Sequence, residues 1–121
     1  MMLQLLKAKI QQLVVNESDI NYPGSITLPY ELLQASGIKQ FELVHVNNKT
    51  NGNRIITYAV QEKEKQFVSI NGAASKLFNK GDVIHVLVFA YFQNEEAENH
   101  IPILVITDNE NKVISKNNYS I

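Results

Sequence analysis

Residues 41–60, FELVHVNNKTNGNRIITYAV, decide the fold. Phe41–Val46 and Arg54–Val60 are rich in β-branched and aromatic residues, and the Asn47–Asn53 segment between them carries an Asn51-Gly52 pair. Asn-Gly supplies the positive φ angles that a tight turn demands, so the segment is predicted as two strands joined by a turn. Downstream, Phe67–Ile70 reads as a strand broken by Asn71-Gly72. Val83–Phe92 reads as the longest apolar strand, continuous enough to predict burial of both faces. Ile103–Thr107 and Lys112–Ser115 are expected to form a hairpin around Asp108–Asn111. Glu62–Gln66 and Lys80-Gly81-Asp82 are expected as turns, Ala73–Phe78 as one helical turn, and Asn94–His100 as a loop or short helix. The end, Asn117–Ile121, is expected to be loose.

Upstream, Thr27–Gly37 (TLPYELLQASG) is predicted as a short helix. Pro29 suits the first helical turn, where a missing N–H costs nothing, and Gly37 suits the left-handed position that ends it. Leu32, Leu33 and Ala35 would supply its buried side. The opening MMLQLLKAKIQQLVV is ambiguous: Leu3, Leu6, Ile10 and Leu13 fit a helix face, while Ile10 and Leu13–Val15 fit a strand. Many short strands separated by Gly and Asn turns, with few helices, predict a mainly β fold, a small closed barrel that leaves no sheet edge exposed.

The chain has 121 residues, which predicts one domain over 1–121 with a core large enough to stand without staples. A formal net charge of -1 gives no sign of the basic patch that nucleic acid requires. Without cysteine there is neither a disulfide framework nor a thiolate metal site, and His45, His85 and His100 lack metal-ligand spacing. Lys7, Lys9, Gln11 and Gln12 interrupt the apolar start, which argues against a signal peptide, and no run approaches the length of a membrane span. A cytoplasmic location is expected.

Nucleophile elbows, phosphate loops and zinc-protease helices are all missing. Three stretches merit chemical attention: Tyr22-Pro23-Gly24-Ser25, the Arg54-x-x-Thr57-Tyr58 strand, and Asn71-Gly72-Ala73-Ala74. Each has a plain alternative. A Gly-Ser after proline is ordinarily a turn, as is Asn-Gly. Arg54 and Tyr58, four apart on a strand, share one face, which is ordinarily surface decoration. Spacing alone assigns them no function.

Taken together, these stretches resemble the bacterial pyruvoyl-dependent aspartate 1-decarboxylase family. The matching residues are Lys9, Asp19-Ile20, Tyr22-x-Gly24-Ser25, Ala35-x-Gly37-Ile38 and Glu42, followed by Val46-Asn47-Asn48-x-Thr50-Asn51-Gly52-x-Arg54 and Thr57-Tyr58-Ala59. Ser69–Ala74, Gly81-Asp82 and Glu95-Glu96-Ala97 complete the set, so the resemblance covers nearly the whole chain. The order Tyr-x-Gly-Ser, Asn-Gly-x-Arg-x-x-Thr-Tyr, Asn-Gly-Ala-Ala is specific although no single piece is.

The resemblance implies a double-psi β-barrel, a homotetramer with active sites between subunits, and self-cleavage at Gly24-Ser25 into a 1–24 β chain and a 25–121 α chain. Ser25 would attack the Gly24 carbonyl and become a covalent pyruvoyl group, with Thr57 assisting cleavage and also contacting substrate. The pyruvoyl ketone would take the amine of L-aspartate as a Schiff base and act as electron sink while CO₂ leaves, giving β-alanine for pantothenate synthesis. Tyr58 would return the proton, Arg54 would clamp a substrate carboxylate, and Lys9 would add positive charge. Gly72, Ala73 and Ala74 would line the substrate, with Asn71 supporting the Schiff-base end. Some relatives need a maturation factor.

Two features depart from the family pattern. The usual Gly-Lys-Ile-His-Arg of the first strand is here Ala8-Lys9-Ile10-Gln11-Gln12, so no group can titrate at position 11. Pro23 fixes its own φ and pushes Tyr22 towards an extended conformation beside the scissile bond. The alternatives carried forward are a related decarboxylase for another acidic amino acid, such as a glutamate-like or substituted aspartate, and an uncleaved barrel serving as a binding module.

Overall fold

The computed structural model describes residues 1–21 and 24–121; the expectations for Tyr22 and Pro23 therefore lie outside the described residues. The chain is mainly β. In order, the elements are β1 (Met2–Val14), β2 (Glu17–Asp19), β3 (Ser25–Pro29), α1 (Tyr30–Ser36), β4 (Leu43–Asn48) and β5 (Arg54–Glu62). There follow β6 (Ser69–Asn71), a 3₁₀ helix (Gly72–Leu77), β7 (Val83–Gln93), α2 (Asn94–Glu98), β8 (Ile103–Thr107) and β9 (Val113–Asn118).

The strands form one sheet in the order β2-β6-β3-β5-β4-β7-β1-β8-β9. Its first strand, β2, is separated from its seventh, β1, by only Val15 and Asn16. The Val15 N–H donates to the Asp82 carbonyl at 2.9 Å and the Asn16 N–H to the Val68 carbonyl at 2.8 Å. The sheet thus curls back towards itself around one core. Ala8, Ile10, Ile26, Val44, Val46, Ala59, Ile70, Ile84, Val86 and Val88 fill that core, all with no exposed surface. Each buried Ile or Val contributes about 1.5–3 kcal/mol relative to exposure.

β1 resolves the ambiguous start as a strand of 13 residues. Ala8 and Ile10 point inward while Lys7 and Lys9 point outward, a period of two that the longer helical spacing of the leucines conceals. A bulge at Gln11-Gln12, with Gln12 at φ 73, breaks its pairing with β7 and bends it. The hairpin in residues 41–60 is present as predicted, with Val46 opposite Ile55 and Asn47 opposite Arg54. Phe41 falls just outside the strand at φ 71, and β6 begins at Ser69 rather than at Phe67. Glu42 accepts from Lys7 Nζ at 3.1 Å and from the Lys39 N–H at 2.9 Å, tying this corner to β1.

Three expectations are corrected. The helix predicted over Thr27–Gly37 begins only at Tyr30, because Ser25–Thr27 pair with β6 and Ile26–Pro29 with β5. Pro29 is the N-cap, at ψ 140, and its ring holds Leu28 in the extended region that a strand needs. Gly37 ends the helix at φ 78, and its N–H donates to the Leu33 carbonyl at 2.9 Å. Secondly, β7 buries one face only: Ile84, Val86 and Val88 are inside, whereas His85, Leu87 and Phe89 lie half-buried on the outer face. Thirdly, the chain end is held as far as Tyr119: β9 runs to Asn118, and the Tyr119 N–H donates to the Pro102 carbonyl at 2.8 Å, while Ser120 and Ile121 lie exposed beyond it.

Candidate active site

Ser25 opens β3, and β3 lies between β5 and β6. Only 1% of Ser25 is exposed, and its φ is 113, a conformation that residues bearing a side chain rarely adopt. Such a residue stores of order 1–3 kcal/mol of strain and persists only where its surroundings hold it. Gly24, immediately before it, is exposed, and a side chain there would meet nothing within 4 Å. A buried, strained hydroxyl therefore adjoins an open peptide.

Asn71 is what holds it. Ser25 and Asn71 stand opposite each other in the β3–β6 pair. Asn71 Nδ2 donates to Ser25 Oγ at 3.1 Å and to Thr27 Oγ1 at 3.0 Å, while Asn71 Oδ1 accepts from Ser69 Oγ at 2.7 Å. Both amide protons and the carbonyl are used, so the side chain is fixed in its plane. Asn71 is 2% exposed, where an unpaired amide would be costly. Gly72 follows at φ 73, which lets the chain turn from β6 straight into the 3₁₀ helix. Ala73 is exposed and Ala74 half-buried on that helix.

Thr57 and Tyr58 reach this region through β5. Ile26 pairs with Ala59 in the parallel β3–β5 ladder, and the same register carried back sets Ser25 level with Tyr58 and Gly24 level with Thr57. Thr57 lies on the face of β5 that includes buried Ala59. Tyr58 lies on the opposite, outer face with Arg54 and Ile56, its ring 6.3 Å from that of Phe41. Arg54 is four residues nearer the start of β5 than Tyr58, about 13 Å along a strand.

Lys9 stands apart from Ser25. It pairs with Leu87, Leu87 with His45, and His45 with Ile56, so Lys9 shares the outer face with Arg54 but sits three strands, about 14 Å, from β5. Its ammonium is 5.7 Å from the centre of the Tyr119 ring. One chain therefore assembles Gly24, Ser25, Asn71 and Gly72 closely, brings Thr57 and Tyr58 alongside, and leaves Arg54 and Lys9 on a separate surface.

Sequence reading missed Thr27 and Ser69, the other two hydroxyls on Asn71. Their signal was period-two polarity in otherwise apolar strands: Ser25-Ile26-Thr27-Leu28 and Val68-Ser69-Ile70-Asn71. A cavity of about 220 Å³ adjoins Thr27, Ser69 and Asn71 from behind, but Glu17, Asp19 and Glu62 also line it. Three carboxyl side chains make it unsuited to an acidic ligand. A larger cleft of about 740 Å³, around Asn16, Ser75 and Lys80, contains none of the candidate residues. Among the described residues no cluster of His, Cys, Asp or Glu could hold a metal ion, and no helix is long and apolar enough to cross a membrane.

The fold and the polar cluster at Ser25 define a small mainly β domain built around one buried, strained serine. Residues 1–114 match the aspartate decarboxylase family, and the chain belongs to that family. It is 40% identical over 114 residues to the aspartate 1-decarboxylase of Syntrophomonas wolfei, covering 93% of this chain and 97% of that one. It is 44% identical over 122 aligned positions to that of Xanthomonas campestris pv. campestris, covering 100% and 96%. The aspartate 1-decarboxylase of Caldicellulosiruptor bescii is 41% identical over 115 residues, covering 94% and 90%. The family is pyruvoyl-dependent.

Proposed function

We propose that this chain cleaves itself between Gly24 and Ser25, carries the resulting pyruvoyl group at residue 25, and decarboxylates L-aspartate to β-alanine and CO₂. The observation that carries the reading is the buried Ser25 at φ 113 with its hydroxyl held by Asn71. Ser25 Oγ attacks the Gly24 carbonyl carbon, and the peptide nitrogen leaves as the ester forms. Elimination frees the Gly24 carboxylate, and hydrolysis of the remaining dehydroalanine releases ammonia. The strain at Ser25 is relieved as the peptide bond breaks, and Thr57 assists at the level of Gly24.

The residues present fit the group. Asn71 presents N–H donors where an oxygen on residue 25 sits, and Gly72 and Ala73 leave room beside it. When formed, the pyruvoyl ketone supplies the electron sink for loss of CO₂. The chain's own residues do the rest. Arg54 and Lys9 bind the substrate carboxylates, Tyr58 returns a proton to the α-carbon, and Gly72, Ala73 and Ala74 shape the floor.

A single chain keeps Arg54 about 13 Å along the strand from the level of Ser25. The site is therefore completed by Arg54 and Lys9 from a second copy, in a homotetramer. The outer face of the β4–β5 hairpin supports this, because Leu43 is 58% and Ile56 62% exposed beside Arg54 and Tyr58. Apolar side chains grouped in this way mark an association surface. We place the enzyme in the cytoplasm, feeding β-alanine to pantothenate synthesis, as one domain over 1–121 that matures to 1–24 and 25–121, with or without a maturation factor.

Intact-protein mass spectrometry tests the reading. Two fragments, the larger blocked by a pyruvoyl group, together with CO₂ release from L-aspartate, are expected. A single species that stays whole on prolonged warming would leave an uncleaved binding module as the function.

A further inference from the structure

The outer face carries a polar row of which the aspartate reading uses only one end, Arg54. Arg54 on β5 stands opposite Asn47 on β4, and Asn47 stands opposite His85 on β7. Directly opposed residues of neighbouring strands point to the same side, so the three side chains form one line. His85 faces the Gln11-Gln12 bulge of β1, and Lys9 lies close enough to influence its protonation. The line therefore runs from Arg54 towards Lys9, the two cations assigned to substrate carboxylates.

Two atoms in it are buried without a hydrogen-bond partner among the described residues: Asn47 Oδ1 and His85 Nε2. A buried polar group left unpaired costs about 1–3 kcal/mol, and most such groups in folded proteins are paired. Two of them side by side, between Lys9 and Arg54, point to a ligand group. Asn47 Oδ1 can only accept, so that group must donate. A carboxylate cannot donate, and Arg54 and Lys9 already serve carboxylates. A hydroxyl gives its one hydrogen to Asn47 Oδ1 and offers a lone pair to His85 in the Nε2–H tautomer, so it satisfies both atoms.

Resting on the decarboxylase reading above, we propose that Asn47 and His85 form a hydroxyl-recognising subsite and that the substrate class is β-hydroxylated aspartate as well as aspartate itself. The carbon chemistry is unchanged. The bond from the α-carbon to its carboxylate breaks, CO₂ leaves, and the electron pair remains on the α-carbon and takes a proton. The product is 3-amino-2-hydroxypropanoate, with the hydroxyl retained. Asn47 and His85 are thus specificity-determining residues.

The experiment compares kcat/KM for CO₂ release from L-aspartate and from both diastereomers of L-3-hydroxyaspartate, using the self-processed protein. One neutral hydrogen bond predicts a preference of about tenfold for one hydroxylated diastereomer. The ratio should fall to about one in Asn47→Leu and in His85→Leu, and His85→Gln, which keeps a polar atom near Nε2, should preserve it. A wild-type ratio of one or below, or a ratio indifferent to both leucine variants, overturns the subsite. Calorimetric binding of L-malate against succinate decides the point without turnover. Tighter malate binding that Asn47→Leu and His85→Leu both abolish supports the subsite, and equal or undetectable binding of both overturns it. Absence of CO₂ from every amino acid would refute the decarboxylase reading alone.

Discussion

Asn71 Nδ2 donates to Ser25 Oγ across 3.1 Å, joining two residues 46 positions apart in sequence but directly opposed in the β3–β6 pair. The bond aims the hydroxyl proposed to attack the Gly24 carbonyl. Replacing Asn71 by Leu keeps the volume but leaves the Ser25, Thr27 and Ser69 hydroxyls without their shared partner. Stability should fall by about 1–3 kcal/mol, read from urea unfolding of an uncleavable Ser25→Ala background, where the loss reports the Thr27 and Ser69 hydroxyls. In the Ser25 protein, Asn71→Leu should slow self-cleavage by about 10- to 100-fold, timed by mass spectrometry. Cleavage at the wild-type rate would show that Asn71 is architectural only.

Ser25→Ala removes at once the proposed nucleophile and the proposed precursor of the pyruvoyl group. Cleavage and decarboxylation should disappear together while the fold remains. Alanine at φ 113 retains the strain, so melting should move by only a few degrees. Decarboxylation surviving in this variant would refute the pyruvoyl mechanism.

The hairpin of residues 41–60 was legible because its Asn-Gly turn and its β-branched runs act locally. The start of α1 was not, because Thr27 and Leu28 are claimed by β5 and β6, strands more than 30 residues away. The burial of β7 was misread for a related reason. Hydrophobicity reports that a face needs covering, not whether this chain covers it, and Leu87 and Phe89 lie on the side where a second copy is proposed to sit. The chemistry proposed at Gly24-Ser25 is suggested in the sequence only by the joint resemblance. Its physical basis, the φ of Ser25 and the amide bond from Asn71, depends on a pairing between distant strands that no local pattern encodes.

Tyr58 stands on the outer face of β5, away from the core, and makes no hydrogen bond within the described chain. Tyr58→Phe should therefore leave cleavage and melting within ordinary surface variation, about 0.5 kcal/mol. If Tyr58 returns the proton, kcat should drop by about 100-fold or more with KM little changed. A rate equal to that of the parent would remove Tyr58 from the proton-donor role.

A site shared between copies makes a complementation prediction. Ser25→Ala lacks the pyruvoyl precursor but keeps Arg54, and Arg54→Ala has the reverse defect. Each alone should be inactive or nearly so. Produced together in one cell, mixed assemblies should regain a measurable fraction of activity, because some sites pair an intact residue 25 with an intact Arg54. Ile56→Glu, on the exposed apolar patch, should split the assembly in light scattering and lower turnover while each chain stays folded. Activity in a dispersed Ile56→Glu monomer would place the whole site within one copy.

His85 gives the protein a pH dependence whose sign is fixed by its surroundings. Burial, then the positive charges of Lys9 and Lys49, lower its pKa from the ordinary 6.5. Between the lowered folded value and 6.5 the unfolded chain binds more protons than the folded one, so stability in that window rises with pH. The contribution is complete above 6.5 and is lost as pH falls through the folded value. Urea midpoints measured from about pH 5 to pH 7.5 should decline on the acid side, and His85→Gln should flatten that part of the curve. A decline equally steep in His85→Gln would assign the acid sensitivity to other groups. The same substitution keeps the hydroxyl preference proposed above, so one variant separates the titration of His85 from its recognition of substrate.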